Sequence, residues 1–163
     1  MKAKNLLRMF AMLALASAFP GLAFSQALKT AIVGTWSVAS VVDQYENGKK
    51  INNWGTAKGN FFFAPNGRFG QIIIGDAQPG MKTADPRKPD APVVAYYGTY
   101  TVNEGNNTIS FMVEAASYSS RVGGPVSSSV ELKGDTMTII GSPRKDQVGT
   151  FHPRLELKRV TGL

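Results

Sequence analysis

From Ile32 to Val160 the chain is a succession of eight short segments rich in β-branched and aromatic residues, with no long stretch of helical periodicity. They cover residues 32–45, 60–64, 68–75, 93–103, 108–115, 126–133, 136–140 and 151–160. Turn signals whose glycines accept positive φ lie between them: Asn47-Gly48, Pro65-Asn66-Gly67, Glu104-Gly105-Asn106 and Lys133-Gly134-Asp135. Regularly spaced strands joined by hairpin turns predict an all-β sandwich or barrel. Neither an internal repeat nor an interdomain linker interrupts the pattern, so residues 28–163 are expected to form one domain.

Two connections are longer than a hairpin requires. Asp76 to Pro92 holds four prolines and few apolar residues, and Gly141 to Thr150 is polar. Both are expected as loops. In a barrel such loops belong at the rim, where they gate a cavity; a plain insertion is the alternative.

The first twenty-seven residues read differently from the rest. Lys2, Lys4 and Arg8 precede an uncharged run, Met9 to Phe19, which Pro20 and Gly21 break, and small residues follow. That order is the pattern of a secretory signal peptide, with cleavage expected after Ser25 or Ala27. The apolar run is shorter than the ~20 residues of a bilayer span, and no transmembrane segment is expected in the mature chain. No cysteine stands at the cleavage region for lipid attachment, so the expectation is a periplasmic or secreted protein.

Three of the eighteen Lys and Arg lie in the leader and none of the eleven Asp and Glu do, which lowers the net charge from +7 to +4 on maturation. The remaining cations occur as scattered pairs, such as Lys49-Lys50 and Arg144-Lys145, and form no stripe. No nucleic-acid partner is therefore expected. The absence of cysteine removes disulfides, thiolate nucleophiles and Cys metal sites. A domain of this length must be held by its core, which buries roughly two thirds of the unfolded surface.

Alternation assigns faces within the strands. Gly34, Trp36, Val38, Ser40 and Val42 fall on one side of the first segment, and Val94, Tyr96, Gly98, Tyr100 and Val102 on one side of the fourth. An eight-stranded barrel is just wide enough to be filled by side chains or to hold one small ligand. Phe61, Phe63, Tyr96, Tyr100, Phe111 and Met137 are the candidate lining of such an interior, with Met112 and Ile139 beside them. Plain core is the alternative for each.

The opening Ile32-Val33-Gly34-Thr35-Trp36 is similar to the Gly-x-Trp start of lipocalins. The order continues with the Pro-Asn-Gly turn after Phe61–Phe63, then Tyr97-Gly98-Thr99-Tyr100-Thr101-Val102, Val130 to Thr138, and a closing Leu155-Glu156-Leu157-Lys158-Arg159-Val160. Together these resemble the bacterial and fungal lipocalin-like domain family over nearly the whole mature chain. The resemblance implies an eight-stranded antiparallel up-and-down barrel. It also implies that Trp36 and Arg159 pair structurally at the closed end through a cation–π contact. The chain departs from the family pattern at Phe111-Met112, where many relatives have His-His, and at Ser128-Ser129, where Arg-Arg is frequent. Its segment before Tyr97 is shorter and proline-rich. Polar ligand chemistry tied to those positions does not transfer, and the interior is expected to be more apolar.

No catalytic constellation is recognisable. His152, the single histidine, precedes Pro153 at the start of a strand and is expected at the surface. One histidine without cysteine excludes the common zinc sets. The six serines between Ser117 and Ser129 include no nucleophile elbow. Asp85 and Asp90 lack metal-loop spacing, and Gly123-Gly124 opens no helix that would cradle phosphate. No catalytic residue, metal or cofactor is expected. Three functions stay open: a non-catalytic carrier or sensor of a small apolar molecule, an isomerase- or cyclase-type enzyme acting on a hydrophobic substrate, and a filled barrel that works through its surface. Tyr96 and Tyr100 are the tyrosines able to give a proton to a bound carbonyl.

Overall fold

The computed structural model describes residues 27–77, 79–80, 85 and 87–162. The expected leader therefore lies outside the described residues except for Ala27. A single-turn helix, α1 (Leu28–Ala31), leads into ten strands: β1 (Gly34–Tyr45), β2 (Lys50–Ile51), β3 (Lys58–Phe63), β4 (Arg68–Ile74), β5 (Val93–Asn103), β6 (Thr108–Ala116), β7 (Gly123–Lys133), β8 (Thr136–Gly141), β9 (Arg144–Lys145) and β10 (Thr150–Arg159). The pairings are antiparallel, and β1 bonds to both β3 and β10. That closes a barrel in the order β1-β3-β4-β5-β6-β7-β8-β10, while the two-residue β2 and β9 lie against its edge. Closure leaves no free edge among the eight long strands.

The strands follow the alternating segments closely, and the differences have local causes. The first strand starts at Gly34 rather than at Ile32, because Ile32 ends the helix and Gly34 has φ +130°. The seventh reaches back to Gly123, and its Pro125 falls where the β6–β7 register shifts, a place where a missing N–H is tolerated.

A second register shift corrects the face assignment of β1. Val38 opposes Leu157 and Ser40 opposes Glu156, so Ala39 is an extra residue, a β-bulge. Trp36 points inward before it, and Val41 and Tyr45 are the buried positions after it. Ser40 and Val42 therefore do not share the inner face with Trp36, because one inserted residue reverses the parity of a strand. Met112 is likewise corrected: it is 46% exposed, beside the inward Phe111 and Val113.

The barrel has two unlike ends. Tight turns at 64–67, 104–107 and 134–135 gather at one end, together with α1. The longer connections, residues 46–57, 117–122 and 142–149 together with the described residues of 75–92, gather at the other. The tight-turn end is plugged. Trp36 is fully buried and donates its indole N–H to the carbonyl of Ile32 at 2.8 Å. The Arg159 guanidinium lies 4.1 Å from the Trp36 ring and donates to the carbonyls of Val33 and Ala31. A Cβ on Gly34 would come within 3.2 Å of that guanidinium, so the glycine gives the arginine its room. Glu104 fixes α1 from the β5–β6 turn, accepting from the amides of Leu28 at 2.7 Å and Lys29 at 2.8 Å. No helix among the described residues is long and apolar enough to cross a membrane.

Candidate functional site

Above the plug the barrel interior is not filled. A cavity of about 370 Å³ opens toward the end that carries the long connections. Phe61 from β3, Ile73 from β4, Phe111 from β6 and Ile139 from β8 form apolar parts of its wall, which Val41 on β1 and Leu155 on β10, the register partner of Ile139, complete. Each comes from a different strand at an inward position, which is what closure of alternating segments produces.

The six candidate lining residues divide into two layers. Phe61, Tyr96 and Phe111 line the cavity. Phe63, Tyr100 and Met137 are buried in the packed core and are not among its lining. Phe63 meets the Tyr100 ring edge-on at 5.2 Å, and the Tyr100 hydroxyl donates to the carbonyl of Ala64 at 2.9 Å. That commits its proton to the backbone, and burial pushes its pKa up. Phe63 joins the two layers, its ring centroid 6.3 Å from that of Phe111, and Phe69 packs against the cavity layer, 4.8 Å from Phe111 and 5.9 Å from Tyr96.

The wall is apolar, but polar groups stand on it. Gln71 and Ser128 are buried side chains facing the cavity, and neither makes a side-chain hydrogen bond to another described residue. The short Ser128 side chain leaves space where a longer one would project. Asp43 is on the wall at the top of β1, where it accepts from the Asn53 amide at 3.0 Å. Arg144, from β9, is part of the same lining.

Arg121 was not among the sequence candidates. It ends a single turn of 3₁₀ helix, Ser119–Arg121, between β6 and β7. The turn brings the guanidinium over the Tyr96 ring, 5.2 Å from its centroid, with Nη2 3.4 Å from the phenolic oxygen. Its Nε is buried without a partner among the described residues. Tyr96 is 9% exposed, and burial raises its pKa while Arg121 pulls the other way. The signal available in the sequence was a lone arginine inside a serine-rich connection, which periodicity does not single out.

The mouth connection between β8 and β10 is clasped. The Tyr45 hydroxyl donates to Asp146 at 2.7 Å, and Asp146 also accepts from the amides of Val148 and Gly149 at 2.8 and 3.1 Å. His152 is half-buried, with Nδ1 3.0 Å from the carbonyl of Gly141, and it is not part of the cavity wall. Among the described residues no three His, Cys, Asp or Glu side chains cluster as metal ligands.

What this arrangement offers chemically is an enclosed apolar volume with hydrogen-bonding groups near its opening. Such a site buries hydrocarbon and orients it through a few polar contacts. No protein-family model matches this chain, and no curated protein matches it.

Proposed function

We propose that this chain is an exported lipocalin-like protein that holds one small hydrophobic molecule inside its barrel, as a non-catalytic carrier or sensor. The observation that carries the reading is the cavity of about 370 Å³ above the Trp36 plug, lined by Phe61, Ile73, Phe111 and Ile139. A barrel that works only through its surface has no need of that space. The volume lies at the lower end of the range for small-molecule pockets, roughly 300–1,000 Å³, so the ligand is compact. Burial of its apolar surface supplies the affinity. Export rests on the order of positive, apolar and small residues in the leader, and the lipocalin-like assignment on the Gly34-x-Trp36 opening with the strand motifs that follow.

An enzyme reading has less support. Tyr96, Gln71 and Ser128 face the cavity, but no base lies within hydrogen-bonding distance of the Ser128 hydroxyl among the described residues, and the Asp43 carboxylate is engaged by Asn53.

The test is native mass spectrometry of the mature protein purified gently from the exporting cell, followed by thermal shift against fatty acids, isoprenoids and aromatics. The expected result is a discrete added mass that denaturation removes, and stabilisation by a subset of the panel. A clean apo mass with no shift across the panel would overturn the proposal.

A further inference from the structure

The five ion pairs among the described residues engage Arg68, Arg87, Arg154, Lys158 and Arg159. Among the described residues neither Arg121 nor Arg144 has a carboxylate within ion-pair distance, and both line the cavity. Among the described residues Arg121 is held only by the Tyr96 ring and by a 3.4 Å contact to the Tyr96 hydroxyl, with its Nε donor unused. The Tyr96 hydroxyl accepts that contact and has no acceptor for its own proton among the described residues. These three donor groups thus share one cavity, and the one carboxylate on its wall among the described residues, Asp43, is occupied by Asn53.

A guanidinium partly withdrawn from water is stabilised by an anion far more than by a neutral acceptor. We infer that the ligand is an amphiphile: its anionic head group rests on Arg121, beside Arg144 and the Tyr96 hydroxyl, and its hydrocarbon lies against Phe61 and Phe111. This inference rests on the ligand-holding reading above and adds the charge of the ligand to it. The Ser119–Arg121 turn accordingly determines specificity, while the strands supply the apolar volume.

The experiment is calorimetric titration of the mature protein with four probes of equal chain length: decanoate, decyl phosphate, decanol and decylamine. Decanoate or decyl phosphate is expected to bind at least ~10-fold tighter than decanol, the scale of one charge-assisted contact, and decylamine more weakly than decanol. The tighter of the two anions identifies the head group as carboxylate or phosphate. In R121Q the ratio of anion to alcohol affinity should fall to near one, whereas R121K retains part of it and R144Q loses less than R121Q. Unchanged far-UV and near-UV circular dichroism identifies these as effects on binding rather than on folding. Equal affinity of the natural protein for decanol and both anions would overturn the inference while leaving the ligand-holding reading intact. An undiminished ratio in R121Q would do the same. Failure of all four probes to bind would count against both.

Discussion

Arg159 is the keystone of the closed end because it meets Trp36 by its face and the main chain by its edge. Its guanidinium lies 4.1 Å from the Trp36 ring while it donates to the carbonyls of Val33 and Ala31 and pairs with Asp135 at 3.3 Å. The indole in turn holds Ile32 through its N–H. Removing Trp36 therefore opens a void and frees two contacts at once. Trp36→Ala is expected to cost ~3–5 kcal/mol in urea unfolding. Arg159→Lys keeps the charge but loses the planar fork and the stacking, and is expected to cost about 1–2 kcal/mol. A loss below ~1 kcal/mol for the tryptophan variant would remove it from the core.

Glu104 makes a second, separable claim on the same end. Its two oxygens accept from successive amides, Leu28 and Lys29, which no helix carbonyl satisfies. Ala27 contributes the carbonyl that accepts from Thr30 and Ala31, each at 2.9 Å. Glu104→Ala should destabilise the protein by roughly 1 kcal/mol, as loss of a helix cap does. It should also speed amide exchange at Leu28 and Lys29 without altering exchange in β1. Unchanged exchange at those two amides would show that the helix holds without the carboxylate.

Strand positions were readable because alternation and turn residues are local properties. The segment from Thr108 was legible as a strand but its faces were not: Phe111 and its neighbour Met112 both read as interior candidates, and the barrel buries Phe111 with Ile109 and Val113 while Met112 lies at the surface. The Trp36–Arg159 contact was readable only through resemblance, since nothing in local pattern links residues 123 positions apart. What was not legible depends on register. Ala39 has no property that marks it as a bulge, yet it decides that Val41 rather than Val42 faces inward. The division of the six candidate aromatics and methionine into cavity and core depends on height along the barrel axis, a property of the closed sheet. Arg121 owes its place to a turn of three residues that alternation does not describe.

Gln71 gives a test of whether the cavity wall is tuned for binding or for stability. Its side chain stands on β4 between Phe61 and Tyr96 of the neighbouring strands, without a side-chain partner among the described residues but still reached by cavity solvent. An amide that keeps contact with cavity water contributes little to stability, whereas a leucine of similar volume adds apolar surface to the wall beside Phe61 and Tyr96. Gln71→Leu is expected to raise the unfolding free energy by ~1 kcal/mol. A loss of stability instead would show that the amide is satisfied within the cavity.

The Tyr45–Asp146 clasp predicts a pH window for the mouth. Hydrogen bonding to Asp146 raises the Tyr45 pKa from 10.0 to about 12, and the same bond, helped by the Val148 and Gly149 amides, lowers that of Asp146 from 3.8. A depressed carboxylate stabilises the fold above its ordinary value, and that contribution is lost as the pH falls through the folded-state value. A raised phenol stabilises it below pH 10.0, and that contribution is lost as the pH rises toward about 12. The clasp's contribution to stability is therefore complete between about pH 4 and 10 and declines progressively on either side, while the bond itself persists until the folded-state values are reached. An NMR titration followed at the Tyr45 ring should show it ionising near pH 12, and Asp146→Asn should return it toward the ordinary value. The same variant should speed amide exchange at Val148 and Gly149 at neutral pH, where the natural protein is protected. Because Arg144 sits just before the clasped turn, the variant also tests whether the clasp positions that arginine. A binding preference for decanoate over decanol that survives Asp146→Asn unchanged would show that Arg144 keeps its place without it.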